Sequence, residues 1–206
     1  MIGNRYPAAD VLAQRGRWDA ATRAVVLDRV HNVPEFRYFN GHDRVTLEAL
    51  CARIIPQDHR PIEDRVPIAP WIDERCAGAA SVGFRFEDMP DDATAWVLGL
   101  TGLDDAAQSI AGAPFCSLPS IKQDRILNAI RTGDPPGDTW QRLPARRWWI
   151  NLALKQISGI YYAHPTAWNE IGFGGPAYPR GYAALNFGAR EPWEADEVLD
   201  PGSSPA

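Results

Sequence analysis

The segment YYAHPTAWNEIGFGGPAYPRGY, residues 161–182, combines three side chains that could do chemistry with an unusual density of aromatic residues. His164 and Glu170 could transfer protons, and the guanidinium of Arg180 could bind an anion through its planar fork of N–H donors. Together they suggest an acid–base site or part of a metal site. Prolines and glycines interrupt the segment too often for one long helix or strand.

A catalytic or metal site needs partners that the rest of the chain does not supply. The four histidines form neither HxxxH nor HExxH, and no GxGxxG, P-loop, GxSxG or CxxCH pattern is present. His164 precedes Pro165 at an expected helix start, where its imidazole would cap a backbone N–H. Glu170, beside Trp168, is expected to fix the following loop by accepting N–H bonds. We therefore expect no catalytic residue, metal or cofactor in this chain, and an enzyme or metal protein using His164, Glu170 and Arg180 is the weaker alternative.

The aromatic residues favour a partner-binding surface. Tyr, Trp and Arg are enriched at the residues that dominate binding energy in interfaces, and proline lowers the entropy lost on binding. Arg180 could bind a carboxylate of the partner or hold its own loop, and both roles stay open. The competing interpretation is that the segment covers the protein's own core. The candidate partner-binding residues are Tyr161, Tyr162, Trp168, Phe173, Tyr178, Arg180 and Tyr182, with His164 and Glu170 as a structural lock.

Helical periodicity predicts the elements that must position this segment: an all-α single domain, a helical bundle of about six or seven helices, with an irregular Gly/Pro/aromatic C-terminal segment. The sole alternating run, Val82, Phe84 and Phe86, is too short to indicate a sheet. Gly99 and Gly102 mark either a break in one long helix or the close approach of another element. The expected helices cover about 20–30, 43–55, 66–79, 91–111, 119–132 and 144–164, followed by a short turn of helix after Pro165.

Composition and length are those of an ordinary globular protein. The 206 residues are 45% hydrophobic and 23% charged. We expect an N-terminal extension with one helix over 1–43, a helical domain over 44–188 and an acidic, mobile tail over 189–206. The three cysteines are too far apart for a CxxC motif and are expected to be reduced.

Charge and hydropathy argue against two classes of partner. The formal net charge is −5 and no basic stripe is present, so a nucleic-acid partner is not expected. No run approaches the ~18 apolar residues that a membrane-spanning helix needs. The N-terminal residues contain neither an apolar signal core nor paired arginines, which indicates a cytoplasmic protein that would be periplasmic or membrane-associated only if a partner carried it.

Three stretches together resemble the gluconate 2-dehydrogenase subunit 3 family. They are TLEALCARIIPQD at residues 46–58, the helix with Gln123, Ile126 and Leu127, and GIYYAHPTAWNEIGFGGPAYPRGY at residues 159–182. The last is the most specific, because it combines an aromatic pair, His-Pro, Asn-Glu-Ile-Gly and Tyr-Pro-Arg-Gly-Tyr. The resemblance extends over about residues 44–182.

The resemblance implies a small, non-catalytic subunit of a sugar or polyol dehydrogenase complex. Its partner would be a large FAD-binding subunit of the glucose–methanol–choline type, often accompanied by a multihaem cytochrome c. Such small subunits support folding and export of the large subunit, and many carry a twin-arginine signal. Because no such signal is visible here, stabilisation or maturation of the flavoprotein is the expected role. A free-standing cytosolic helical adaptor is the alternative.

Overall fold

The computed structural model describes residues 5–78, 86–182 and 188–198, and it confirms the predicted all-α class. These ranges contain eight α-helices and no β-strand. The count exceeds the predicted six or seven because the helix expected from Pro144 is divided by a π-helical stretch, Trp148–Leu154. The helices are α1 (Ala20–His31), α2 (Gly41–Ile54), α3 (Ile68–Ala77), α4 (Asp92–Ala111), α5 (Ser120–Thr132), α6 (Ala145–Arg147), α7 (Lys155–Tyr162) and α8 (Pro165–Glu170).

The described residues form two compact units. One, here called the terminal unit, comprises the described residues of 1–33 and 161–206, and the other, the central unit, comprises those of 34–160. The division expected from the sequence, at residues 43 and 188, stays a prediction. None of the helices in the described ranges is both long enough and apolar enough to cross a bilayer.

The central unit is built around α4. Asp91 caps this helix by accepting the N–H of Thr94 at 3.0 Å. Its apolar side is fully buried and packs against α2, α3 and α5. The glycines in α4 do not break it but allow close approach: a Cβ on Gly99 would lie 2.1 Å from the indole of Trp148, and one on Gly102 would lie 2.6 Å from that of Trp140. The second of the two expected explanations for these glycines is therefore correct.

The π-helical stretch between α6 and α7 is a feature that periodicity did not reveal. It directs Trp148 into the core, where the ring meets Trp96 edge to face with centroids 5.8 Å apart. Trp140 contacts the same ring at 5.6 Å. Further apolar residues of α7 are also buried, including Ile157 and Ile160. The wider turn changes the register without changing which side chains are apolar, so the pattern alone could not show it.

Most predicted helix ends agree with the structure. Asp19 caps α1 by accepting the N–H groups of Ala21 and Thr22 at 2.8 and 2.9 Å. Gly133 ends α5 with φ of 91°, the left-handed conformation that favours glycine. Pro119 occupies the N-cap of α5 and not, as expected, its first helical position. The predicted positions of Ala79, Val82 and Phe84 lie outside the described residues.

The terminal unit brings the two ends of the chain together. A 3₁₀ helix, Val11–Arg17, contacts α8. A small apolar core joins Val11, Trp18, Val26 and Trp168. The N–H of Val11 donates to the side-chain carbonyl of Asn169 at 2.9 Å, which fixes α8 to the N-terminal segment. Residues near the N-terminus are therefore part of the scaffold that holds residues 161–182.

Candidate functional site

The start of α8 is fixed by His164 and Pro165. The Nδ1 atom of His164 accepts the N–H of Thr166 at 3.2 Å, and Pro165 occupies the first turn, where its missing N–H costs nothing. The imidazole is 9% exposed. The capping role expected for His164 is thus what the structure shows, and an imidazole that accepts from the backbone through Nδ1 is committed to holding the helix.

Trp168 is a buried anchor and not a surface residue. Its indole N–H donates to the carbonyl of Tyr162 at 2.7 Å. The N–H of Phe173 donates to the carbonyl of Trp168 at 2.9 Å, and the Phe173 ring meets the Trp168 ring edge to face at 5.5 Å. One buried tryptophan therefore orients the backbone on both sides of α8, from Tyr162 to Phe173.

Glu170 has a hydrogen-bond donor that the sequence did not indicate. The phenol of Tyr161 donates to the Glu170 carboxylate. Tyr161 is 4% exposed, so the bond is shielded from competing water. The expected acceptance of backbone N–H groups of the following loop by Glu170 stays a prediction; the donor given by the structure is a side chain at the end of α7. Tyr161 therefore contributes to the lock, together with Glu170.

Arg180 holds the loop that carries it. Its Nη2 donates to the carbonyl of Gly174 at 3.0 Å, and Nη1 donates to the Gln14 side chain at 3.4 Å. The guanidinium carbon lies 3.9 Å from the ring centroid of Trp193. Burial lowers the pKa of Arg180, and the charge of Arg17 lowers it further. Of the two roles left open by the sequence, the loop-holding one is observed.

The remaining aromatic residues of the segment face solvent. Tyr178 is 67% exposed and Tyr182 is 55% exposed, although the backbone on which they stand is fixed by buried anchors. Exposed rings on an ordered backbone offer apolar area to a partner. Binding them costs little further backbone entropy. The exposed members, here called the exposed aromatic set, are Tyr162, Phe173, Tyr178 and Tyr182.

The three residues of the catalytic alternative have separate structural duties. His164 accepts a backbone N–H, Glu170 accepts a phenol, and Arg180 donates to a backbone carbonyl. Within the described ranges, no group of His, Cys, Asp and Glu residues has an arrangement that could hold a metal ion.

Asp73 is the most heavily used polar residue that sequence reasoning missed. Its fully buried carboxylate accepts the backbone N–H groups of Arg37 at 2.7 Å, Tyr38 at 3.0 Å and Phe39 at 2.6 Å. The signal was available, because Asp73 lies four residues after Ala69 and three before Cys76, on the buried face of its helix. A charge in such a position must be satisfied by donors. Its task is to fix residues 37–39.

Two glutamines in the stretches that carried the resemblance are also structural. The amide of Gln57 exchanges two hydrogen bonds with the backbone of Val66, at 2.8 and 3.1 Å. The amide of Gln123 donates to the carbonyl of Phe115 at 2.9 Å. Both side chains are buried, and each closes a loop of the central unit. These two residues of the resembling stretches therefore have a structural role.

Comparison with known families gives a match over residues 41–175, more than half of the chain, to the family model described as gluconate 2-dehydrogenase subunit 3. The match ends at Gly175, so Tyr178, Arg180 and Tyr182 lie beyond it. No curated protein and no solved structure matches the chain. The matched range contains the capped helix α8, the lock and the α4-centred core described above. The chain belongs to the gluconate 2-dehydrogenase subunit 3 family.

Proposed function

We propose that this chain is a non-catalytic small accessory subunit that binds a large FAD-containing dehydrogenase and stabilises or matures it. The large subunit would be of the glucose–methanol–choline type and would oxidise a sugar or an alcohol. FAD would be bound by that partner, and a cytochrome c subunit could accept its electrons. The compartment stays as expected from the sequence, cytoplasmic unless a partner carries the complex elsewhere.

One observation carries the proposal: the exposed aromatic set lies on a backbone that is already ordered by buried contacts. Trp168 and the Tyr161–Glu170 bond hold α8, while Tyr178 and Tyr182 extend into solvent. Binding such a surface removes apolar area from water and orders few additional groups. Membership of a family named for a dehydrogenase subunit supports a dehydrogenase subunit as the partner that would cover it.

Stabilisation would follow from mass action. A subunit that binds the folded large subunit but not its unfolded chain stabilises it by RT ln(1 + [L]/Kd), about 2.7 kcal/mol at a hundredfold excess over Kd. No chemistry by this chain is needed for that effect. The oxidation would be carried out entirely by the flavin of the partner.

Co-expression tests the proposal. The candidate large subunit is purified with and without this chain, and soluble yield, bound flavin and dye-linked dehydrogenase activity are measured. We expect all three to increase in the presence of this chain. If none of them changes, the accessory role is wrong and a free-standing adaptor becomes the better interpretation.

A matched pair of variants tests the surface itself. Tyr178→Ala removes a largely exposed ring, so the melting temperature of the isolated chain should not change. If this ring is a dominant contact, the affinity for the large subunit should fall at least ~10-fold. Ile121→Ala, at a side chain that is 76% exposed in the central unit, is the control and should retain full co-purification. Equal behaviour of the two variants would show that the aromatic set is not the interface.

A further inference from the structure

The indole of Trp193 fills a slot in the terminal unit. A Cβ on Gly174 would lie 2.8 Å from Cδ1 and 3.3 Å from Nε1 of Trp193, so a residue with a side chain could not occupy position 174 without displacing the ring. On the other side, the guanidinium of Arg180 covers the ring at 3.9 Å. Arg180 also donates to the carbonyl of Gly174, so the two residues that contact the ring are hydrogen-bonded to each other.

Residues 190–198, here called the strap, hold Trp193 in this slot. Glu191 and Glu194 form a tight turn around it, with the N–H of Glu194 donating to the carbonyl of Glu191 at 3.0 Å. The N–H of Val198 donates to the carbonyl of Arg5 at 2.7 Å. This part of the tail expected to be mobile therefore packs on the terminal unit; its mobility stays a prediction, and residues 199–206 lie outside the described residues.

The two ion pairs described for the strap are partly exposed. Arg5 pairs with Glu197, and Arg190 pairs with Asp196 at 3.3 Å, where the Asp196 side chain is 97% exposed. Solvent-exposed ion pairs contribute little to stability and are screened by salt. Apart from Glu191, which is buried and whose charge acts on Arg180, the described attachments of the strap to the rest of the unit are one backbone hydrogen bond, the Arg5–Glu197 ion pair and one ring.

The central contact is also incomplete. The Nε of Arg180 and the Nε1 of Trp193 are both buried, and neither has an acceptor among the described residues. A buried donor without a partner lowers the stability of the state that contains it. The stacking of guanidinium on indole offsets part of this loss. A segment that offered acceptors to both donors would bind better than the strap does.

The slot and the strap differ in their relation to the family. Gly174 lies within the matched range 41–175, whereas Arg180 and the whole strap lie beyond it. The floor of the slot therefore belongs to the matched family region. Its cover is part of the sequence that the family model does not include.

We propose that the slot between Gly174 and Arg180 is a binding site for an acidic peptide segment that contains tryptophan, and that the strap occupies it in cis as a displaceable cover. The chemistry of the occupant follows from the strap itself, in which Trp193 is surrounded by Glu191, Glu194 and Asp196. The cations that receive it are Arg180 and the nearby Arg17, whose charge acts on Arg180. The acidic residues of the segment and the two arginines are therefore complementary in charge, in addition to the fit of the indole in the slot.

Occupation of the slot by the chain's own strap has two consequences, one for competition by free peptides and one for function. A tethered segment acts at an effective concentration of about 1 mM, so a free peptide at micromolar concentration cannot displace it. The slot is therefore closed in the isolated chain. If the chain binds a large subunit as proposed above, release of the strap would free Arg180 and the slot for a segment of that partner; this last step rests on the proposed function.

Peptide binding to the full-length chain tests the slot directly. A fluorescently labelled peptide of residues 190–198, REPWEADEV, is titrated against the wild type and against Trp193→Ala, with anisotropy as the readout. We expect at least ~10-fold tighter binding to Trp193→Ala, because the slot is then empty while the wild-type slot is filled by its own tether. Pro192→Ala, an exposed neighbour of Trp193, should behave as the wild type. A peptide with alanine in place of tryptophan should not bind.

Equal affinity for wild type and Trp193→Ala, or no binding to a folded Trp193→Ala chain, would overturn the proposal. Should that variant fail to fold, hydrogen exchange on the wild type decides. Residues 190–198 should then exchange faster than α8 and accelerate with added NaCl, and strap amides that exchange as slowly as those of α8 would sink the idea. Both experiments use the isolated chain, so their failure is distinct from failure of the co-expression test.

Discussion

Among the described residues, the terminal unit leaves more buried N–H groups without an acceptor than the central unit does. Asp73 and Gln57 in the central unit are buried and bonded to specific backbone groups. In the terminal unit, the buried N–H groups of Trp18, Arg180 and Trp193 have no acceptor among the described residues, against one such indole, Trp148, in the central unit. Because buried donors without partners are costly, the contrast supports the proposal that the terminal unit binds another molecule.

The two units also differ in how their exposed apolar side chains are distributed along the chain. In the central unit they are single residues far apart in the chain, such as Ile62 and Ile121, and such scattered residues are normal on protein surfaces. In the terminal unit, the exposed aromatic set comes from one segment of about twenty residues. The comparison favours the terminal unit for the proposed recognition role and the central unit for that of a scaffold.

The largest effect is expected from a small substitution in the scaffold. Gly99→Ala would place a methyl group 2.1 Å from the buried indole of Trp148, so α4 or the π-helical stretch must move. Overpacking of this kind should lower the free energy of unfolding by about 3 kcal/mol. Thermal unfolding by circular dichroism measures it. Gly159→Ala is the control, because no atom lies within 4 Å of the added Cβ, and its helix should be stabilised by about 0.5–1 kcal/mol.

Thiol labelling shows in which unit this damage occurs, because all three cysteines lie in the central unit. Burial raises the pKa of Cys76 to about 12 and also raises that of Cys51, so both are unreactive at neutral pH while the core is closed. Gly99→Ala should accelerate their labelling. Unchanged labelling despite a lower melting temperature would contradict the assignment of Gly99 to the core of the scaffold.

A smaller loss of stability is expected when the Asp73 carboxylate, which fixes residues 37–39, is replaced by an amide. Asp73→Asn keeps the size of the side chain but turns an amide NH₂ toward backbone donors, and at least one of the three N–H groups loses its acceptor. We expect a loss of about 2–3 kcal/mol in unfolding free energy, measured by urea titration. Glu74→Gln, which removes the solvent-exposed ion pair with Arg37, is the control and should change stability by under about 1 kcal/mol. If both variants lose the same amount, the buried carboxylate has no special role.

The scaffold was largely predictable from the sequence because its signals are local. Caps such as Asp19 and the stop at Gly133 act within one helical turn, and the buried stripe of α4 follows from spacing alone. The π-helical stretch was not predictable, since the same apolar residues fit an α-helical register. The contacts of Asp73 with residues 37–39 connect parts of the chain that spacing cannot relate.

The location of the candidate site could be predicted from the sequence, but the role of each of its residues could not. His164 was correctly expected to cap α8, because the signal is the following Pro165. Tyr161 and Trp168 were grouped with the exposed aromatics, but they are buried, and nothing in the residue types distinguishes a ring that faces inward from one that faces out. The placement of Trp193 against Gly174 depends on a long-range contact and was not foreseen.

The smallest loss of stability is expected from Trp168→Phe. This variant also distinguishes the two units most clearly. The variant keeps an aromatic ring beside Phe173 but loses the N–H donated to the carbonyl of Tyr162 at 2.7 Å. We expect a loss of about 1 kcal/mol, and faster hydrogen exchange over residues 161–173. Labelling of Cys51 and Cys76 should stay as in the wild type, since they lie in the other unit. Ile171→Ala, at an exposed side chain next to α8, is the control and should leave stability unchanged.

The combination of stability and partner binding then decides what Trp168 does. A buried anchor should lower stability and weaken co-purification together, because Tyr162 and Phe173 lose their common support. A docking residue should weaken co-purification at unchanged stability, and that outcome would contradict the burial of its ring. If Cys51 and Cys76 also became reactive, the two units would open as one, and the distinction between a satisfied scaffold and a poised recognition unit would have to be given up.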